Sequence, residues 1–159
     1  MPLTEQTLAP NFTAQTNGGN TISLSDYKGK WVILYFYPKD NTTGCTKEAC
    51  DFNDNFQSIT AKNTVVLGVS PDDVKSHDKF VNDFNLSFLL VSDPDKTICN
   101  QYGVWGEKSM YGRKYMGVLR TTFIIDPKGK IQKIYEKVTV TKHVKTVIKD
   151  LEQLQSTSK

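Results

Sequence analysis

A continuous run of apolar and aromatic residues, residues 31–37, constrains the fold of this 159-residue chain more than any other feature. The run does not alternate with polar residues, so a strand built from it must be covered on both faces. Pro38 ends the run, because proline lacks the N–H group that a central strand donates to its neighbour. These residues predict a central strand in a sheet that carries helices on both sides.

Strand and helix patterns alternate along the rest of the chain. Apolar runs predict further strands at residues 64–69, 88–91, 121–125 and 131–138, the last two forming a hairpin. Apolar spacings of three and four predict helices at residues 44–61, 72–84, 95–102 and about 144–154. Residues 13–24, with an Asn-Gly-Gly-Asn turn, predict an N-terminal β-hairpin. We therefore predict an α/β fold with a mixed central sheet flanked by helices, as one domain over residues 1–159.

The charge and hydropathy of the chain argue against two classes of partner. The net charge of +3 comes from scattered lysines and not from a clustered basic face, so we expect no nucleic-acid binding. No apolar stretch is long enough to span a bilayer, so we expect no membrane insertion. The first residues show neither the basic start nor the apolar run of a signal peptide, so we expect the protein to work in the cytoplasm.

Three cysteines are an odd number, which argues against a framework of structural disulfides in a reducing compartment. Cys45, Cys50 and Cys99 lack the C-x-x-C pairs or histidine partners at ligand spacing that zinc requires, so we predict no metal site. We expect His77 and His143 to lie on the polar, exposed surfaces of their helices. Cys99 matches no motif, and we interpret it as a small packing residue.

Cys45 follows the central strand and a loop that begins with proline, and it falls in the first turn of the predicted helix. Unpaired N–H groups and the helix dipole stabilise a thiolate there, which is the reactive form. Lowering the pKa of a thiol from about 8.5 to about 6 takes roughly 3.4 kcal/mol of preferential anion stabilisation. A helix terminus supplies only about 0.3–1 kcal/mol, or about 2 kcal/mol when partly buried. A permanent cation is therefore required.

Arg120 is the best candidate for that cation, because it stands at the start of the predicted strand 121–125 and its guanidinium stays charged. The chain has only one other arginine among its 20 basic residues, Arg113, which we expect in a solvated loop. The site predicted from these residues therefore pairs a helix-terminal thiol with an arginine at a strand start.

The same residues resemble a known family. Pro38, Thr42 and Cys45 stand in the spacing Pro-x-x-x-Thr-x-x-Cys of the peroxiredoxin active site, and Arg120 resembles the catalytic arginine of that family. The second cysteine, Cys50, together with the Asp-Pro-Asp and Tyr-Gly-Val-Trp segments, is similar to the bacterioferritin comigratory protein, or peroxiredoxin Q, branch. The resemblance covers nearly the whole chain. The chain departs from the family pattern at one position: relatives commonly have proline two residues before the cysteine, and this chain has threonine.

The resemblance implies a role for each of these residues. Cys45 is expected to attack the peroxide and to become a sulfenic acid. Thr42 is expected to hold a peroxide oxygen, and Arg120 to stabilise both the thiolate and the leaving oxygen. Pro38 is expected to shield the site and to shape the loop. Glu48, one turn after the nucleophile, is expected to orient the arginine.

From the residues alone, Cys50 is either a buried spectator or a second redox thiol. The resemblance implies that it is the resolving cysteine, which forms a disulfide with Cys45. Residues five apart on an ideal helix have Cα atoms roughly 8–9 Å apart. A disulfide needs a separation of about 4.4–6.8 Å. We therefore predict that oxidation unwinds the helix between about residues 44 and 56.

By resemblance, the chain has a thioredoxin-like fold and is a thiol-dependent peroxidase for hydrogen peroxide and organic hydroperoxides. Thioredoxin or a similar dithiol reductant is expected to recycle it, the chain is expected to be a monomer, and no bound cofactor is implied. One alternative is a thioredoxin-like protein disulfide oxidoreductase, which would use C-x-x-C. Another is a redox-dependent binding or holdase module, which would need neither Thr42 nor Arg120. The C-x-x-x-x-C spacing favours the peroxidase.

Overall fold

The computed structural model describes residues 3–157; Met1, Pro2, Ser158 and Lys159, which belong to the predicted domain, lie outside the described residues. The strands of the described part are β1 (Thr13–Gln15), β2 (Thr21–Ser23), β3 (Trp31–Phe36), β4 (Thr64–Ser70), β5 (Leu89–Ser92), β6 (Trp105–Met110), β7 (Arg113–Val118), β8 (Thr121–Ile125) and β9 (Ile131–Tyr135). Its α-helices are α1 (Thr43–Asp54), α2 (Phe56–Thr60), α3 (Val74–Phe84), α4 (Thr97–Gln101) and α5 (His143–Thr157). Within this part, no helix combines the length and the apolar character needed to cross a membrane.

A mixed sheet of five strands, in the order β5-β4-β3-β8-β9, forms the centre of the protein. The predicted central strand is β3, which pairs in parallel with β4 and antiparallel with β8. The predicted N-terminal hairpin is the antiparallel pair of β1 and β2. Because β8 runs antiparallel to β3, the start of β8 lies beside the end of β3, where Phe36 pairs with Thr121. This register decides which residues meet at the edge of the sheet.

Side chains of β3 alternate between the two faces of the sheet, and each face is covered by its own hydrophobic cluster. On one face, Ile33 belongs to a cluster with Phe52 of α1 and Val147 of α5. On the other face, Leu34 belongs to a cluster with Ile98 of α4. All six residues of β3 are buried, which explains why the run lacks polar residues. The predicted α/β, thioredoxin-like class with a helix-flanked mixed sheet is confirmed.

The helix predicted over residues 44–61 is wrong in one respect, because the structure divides it into α1 and α2. Asn55 interrupts it with φ −107° and ψ 11°. Its side-chain amide donates a hydrogen bond to the carbonyl of Asp51 at 2.8 Å. An asparagine side chain that bonds to nearby backbone competes with the helical hydrogen bonds, so the apolar spacing continues while the helix does not.

The prediction that Arg113 lies in a loop is wrong. Arg113 begins β7, which pairs with β6 in an antiparallel hairpin. Tyr111 and Gly112 form its two-residue turn, with φ values of 53° and 78°. A type I′ turn requires positive φ at both of these positions. Most described side chains of β7 are exposed, so the hairpin shows little of the apolar alternation by which strands are predicted.

Candidate active site

Cys45 lies just beyond the carboxyl end of β3, as predicted. Half-buried Pro38 begins the loop that leaves the strand, and Thr42 occupies the residue before the first turn of α1. Cys45 is the third residue of α1 and is 1% exposed. The first N–H groups of a helix have no intrahelical partner, so a thiolate at this position lies next to unpaired donors.

Arg120 reaches the thiol from the neighbouring strand. It directly precedes β8, whose antiparallel register with β3 brings it to the same edge of the sheet. Its Nη2 donates a hydrogen bond to Cys45 Sγ at 3.2 Å. Gly44 leaves room for this contact, since a Cβ there would lie 3.4 Å from Arg120 Nη2. The structure therefore joins the predicted thiol and cation, which are 75 residues apart in the chain.

Glu48 holds the other side of the guanidinium. Arg120 Nη1 donates to Glu48 Oε1 at 2.7 Å, and the Glu48 side chain is fully buried. Burial raises the pKa of Glu48 to about 7, although the charge and hydrogen bond of Arg120 work against that rise. The expected contact of Glu48 with the arginine is present. Its buried Oε2 has no hydrogen-bond partner among the described residues.

His143 lies next to that unpaired oxygen, and the prediction that it is exposed is wrong. Its side chain is 6% exposed, with Nε2 3.9 Å from Glu48 Oε2. The same nitrogen forms a hydrogen bond with Thr122 Oγ1 at 2.9 Å. Burial, followed by the charge of Arg120, lowers the pKa of His143 to about 4. His143 is therefore neutral at neutral pH, and it does not form an ion pair with Glu48.

Thr42 is an exposed residue that directly precedes α1. Its hydroxyl donates to the backbone oxygen of Lys39 at 2.9 Å and does not cap α1. A hydroxyl that donates its proton keeps oxygen lone pairs free. Thr42 is exposed, so these lone pairs are available to accept a hydrogen bond from a bound molecule.

A buried polar network anchors the loop that precedes α1. Asp40 accepts hydrogen bonds from Tyr37 Oη (2.6 Å) and from Ser76 Oγ (2.8 Å). His77 Nδ1 lies 2.7 Å from Asp40 Oδ2, and His77 Nε2 lies 2.9 Å from the backbone oxygen of Val91. The prediction that His77 is exposed is wrong, because its side chain is 0% exposed.

Sequence reasoning missed this anchor, because the residues that meet in it belong to separate elements. One signal was present, since an acid a few residues after a buried strand is placed near the sheet edge, where it can accept hydrogen bonds. Asp40, Asp72 and His77 also have possible ligand atoms within 4.8 Å of one another. These atoms already bond to protein groups, since Asp72 Oδ2 accepts from Ser70 Oγ at 2.6 Å and from the Asp40 N–H at 2.8 Å. The cluster is a structural network.

The other two cysteines lie in different surroundings. Cys50 is half-buried on α1, and burial, followed by the charges of Asp54 and Asp51, raises the pKa of its thiol. Cys99 is fully buried in the cluster on the opposite face of the sheet, where burial and Asp93 raise its pKa. Cys99 therefore cannot meet the other two thiols, which is consistent with a packing residue.

The sequence profile of the AhpC/TSA family matches residues 6–134 of the chain, which is well over half of it. The chain belongs to the AhpC/TSA family. Within the family, the Bacillus subtilis protein peroxiredoxin Bcp is 44% identical over 146 residues, covering 92% of this chain and 93% of that protein.

Solved structures of this family superimpose over most of the chain. Peroxiredoxin Q of Xylella fastidiosa, as a cysteine-to-serine variant, matches with a TM-score of 0.89 and 37% identity, covering 100% of this chain and 99% of that one. The bacterioferritin comigratory protein of Xanthomonas campestris, studied for its alkyl peroxide reduction activity, matches with a TM-score of 0.85 and 38% identity. That match covers 89% of this chain and 90% of the other. The predicted resemblance to the peroxiredoxin Q branch is confirmed.

Proposed function

We propose that this protein is a thiol peroxidase that reduces hydrogen peroxide and organic hydroperoxides with Cys45. One observation carries the proposal: Arg120 donates to Cys45 Sγ at 3.2 Å while Glu48 holds its other nitrogen at 2.7 Å. A guanidinium fixed at this point stabilises the thiolate before the reaction. It also stabilises negative charge that develops on the departing oxygen. The alkyl peroxide reduction studied in the Xanthomonas campestris relative supports the substrate class.

The chemistry uses the other residues around the thiol. The Cys45 thiolate attacks one oxygen of the peroxide, forming an S–O bond as the O–O bond breaks, which leaves a sulfenic acid and an alcohol or water. The exposed hydroxyl of Thr42 accepts a hydrogen bond from the peroxide O–H, because it donates its own proton to the backbone oxygen of Lys39. Pro38 covers the site from the end of β3.

We propose that Cys50 resolves the sulfenic acid, releasing water and forming a disulfide with Cys45. Both cysteines are free thiols on the intact helix α1. Five residues of helix separate their Cα atoms by roughly 8–9 Å, which exceeds the span of a disulfide. Burial and two aspartates also raise the pKa of the Cys50 thiol while the helix is folded. Unwinding of α1 therefore precedes the attack of Cys50.

Two anchors bracket the segment that unwinds. Upstream, Asp40 is bound to α3 through Ser76 and His77. Downstream, the Asn53 side chain donates to the backbone oxygen of Asn85 at 3.1 Å and accepts from the Ser87 N–H at 2.8 Å. Unwinding of α1 between these anchors leaves both attachments in place. We therefore propose that the segment that unwinds ends before residue 53, within the expected residues 44–56.

Amide hydrogen exchange tests the unwinding. Peroxide-treated protein is expected to lose protection between residues 43 and 52, while the strands of the central sheet keep theirs. The Cys50→Ser variant, which cannot form the disulfide, serves as the matched control and is expected to keep its protection after one treatment. Identical exchange of α1 in reduced and oxidised protein would contradict the proposal.

A coupled assay tests the peroxidase activity itself. Protein supplied with thioredoxin, its reductase and NADPH is expected to consume NADPH when hydrogen peroxide or an alkyl hydroperoxide is added. Cys45→Ser is expected to abolish this turnover. Cys99→Ala, which removes a thiol on the other face of the sheet, is the matched control and is expected to retain it. Reduction of protein disulfides without consumption of peroxide would instead favour a disulfide oxidoreductase.

We further propose that a dithiol reductant such as thioredoxin recycles the disulfide, that the protein works in the cytoplasm as a monomer, and that it has no nucleic-acid or membrane partner. A thiol cycle of this kind needs a reducing compartment. The hairpin of β6 and β7 exposes Tyr111 and Met116, at 98% and 54%, so oligomeric state is the point to measure. Light scattering coupled to size-exclusion chromatography is expected to show a monomer in both redox states, and a stable dimer would contradict it.

A further inference from the structure

Lys108 of β6 extends toward the strand segment that supplies Arg120. It pairs with Tyr115 across the hairpin, and its stem packs over Gly117, where a Cβ would come 3.0 Å from Lys108 Cδ. Its Nζ donates to the backbone oxygen of Val118 at 2.9 Å. Val118 precedes Arg120 by two residues. The hairpin therefore holds a second cation against the backbone that leads directly into Arg120.

The charges of the active site reach this ammonium group. Burial, followed by the charge of Arg120, lowers the pKa of Lys108, while Cys45 acts in the opposite direction. The net effect is a lowered pKa, so Lys108 releases a proton more readily than a lysine in water does. The hydrogen bond to Val118 uses one of its three N–H groups, so two remain for another acceptor.

Peroxide reduction needs a proton donor at this point. When the O–O bond breaks, the departing oxygen leaves as a strongly basic alkoxide or hydroxide unless it is protonated. Among the described residues next to Cys45, Arg120 is unsuited, because its pKa is raised: burial acts to lower it, but the thiol and Glu48 outweigh burial. Glu48 is fully buried and turns its second oxygen toward His143, inside the core. His143 carries no excess proton at neutral pH, since its pKa lies near 4.

We propose that Lys108 is the general acid of peroxide reduction, and this inference rests on the peroxidase function proposed above. The Cys45 thiolate bonds to one peroxide oxygen and the O–O bond breaks. The departing oxygen takes a proton from the Lys108 ammonium, which becomes an amine. The sulfur loses two electrons to the peroxide, the products are a sulfenic acid and an alcohol or water, and solvent returns the proton to Lys108.

Two oxidants and two variants test this role. The rate constant for oxidation of Cys45 is measured by rapid quench and thiol labelling, with tert-butyl hydroperoxide and with peroxyacetic acid. Lys108→Met is expected to slow the alkyl hydroperoxide reaction by roughly 10²-fold. The peroxyacetic acid reaction is expected to change little, because acetate leaves without a proton. Lys108→Arg keeps the charge but not a transferable proton, so the same loss is expected.

Lys114 of the same hairpin provides the matched control. Its side chain is 76% exposed and lies 3.5 Å from Glu107, so Lys114→Met removes one hairpin lysine away from the thiol and is expected to leave both rates unchanged. An active Lys108→Arg variant, or equal slowing with both oxidants, would overturn the general-acid role. A wild-type protein that reacts with neither oxidant would instead overturn the peroxidase function. An unimpaired peroxyacetic acid reaction in Lys108→Met also shows that the variant is folded.

Discussion

Replacing Glu48 by glutamine is expected to change how the stability of the protein depends on pH. Burial raises the pKa of Glu48 from 4.5 to about 7 in the folded protein, against the opposing effect of Arg120. Each unit of pKa difference between the folded and unfolded states is worth about 1.4 kcal/mol, so this pKa difference corresponds to about 3 kcal/mol of unfolding free energy. Glutamine has nearly the same shape and does not ionise, so Glu48→Gln removes that dependence.

The sign follows from which state binds the proton more tightly. The folded protein holds the Glu48 proton more tightly than the unfolded chain, so the stabilisation is complete below about pH 4.5 and is lost as the pH rises through about 7. Most of the loss, about 2–3 kcal/mol, falls between pH 5 and pH 8. Relative to wild type, Glu48→Gln is therefore expected to gain stability on going from pH 5 to pH 8.

Urea denaturation of the reduced proteins at the two pH values measures this difference. The comparison of wild type with Glu48→Gln cancels the titration of all other groups that both proteins share. Glu152→Gln, an exposed carboxylate on α5, is the matched control and is expected to show the same stability difference from wild type at both pH values. A Glu48→Gln difference that is also independent of pH would refute the reasoning.

Three further substitutions test separate parts of the structure. Arg120→Lys keeps a charge but cannot bind both Cys45 and Glu48. The rate constant of thiol oxidation by hydrogen peroxide is therefore expected to fall by about 10²-fold in stopped-flow measurements. An unchanged rate constant would contradict this. Gly68→Ala places a Cβ 2.9 Å from the Tyr35 ring, so urea denaturation is expected to show a loss of about 1–3 kcal/mol; wild-type stability would argue against the clash. Asp40→Asn takes the carboxylate from buried His77, so the same measurement is expected to show a loss of about 3 kcal/mol, and a loss no larger than that of Ser76→Ala would show that the pair is unimportant.

The central strand and the position of the nucleophile were predictable because both depend on local signals. A seven-residue apolar run ended by Pro38 has few alternatives to a buried strand, and apolar spacing after it indicates a helix. Cys45 at that helix start was therefore placed correctly. The need for a cation followed from magnitudes alone, since a helix terminus stabilises a thiolate too weakly.

The two histidines show where local reasoning failed. His77 and His143 stand among polar residues in their helices, which indicates exposure, yet both are buried. Each is satisfied by residues distant in the chain: His77 by Asp40 and Val91, and His143 by Thr122. A helical pattern records which residues are polar, but it does not record which polar residues find buried partners.

The sequence by itself determined the thiol at the helix start, the buried strand before it and the requirement for a permanent cation. Only the tertiary structure decided the contacts that adjust the site. Arg120 meets Cys45 and Glu48 across 75 and 72 residues of chain, because the antiparallel register of β3 and β8 brings the start of one strand to the end of the other. A hairpin with little apolar pattern brings Lys108 to the backbone oxygen of Val118, two residues before Arg120. Local sequence patterns predict helix starts and buried strands, whereas strand register and hairpin placement depend on how the whole chain packs.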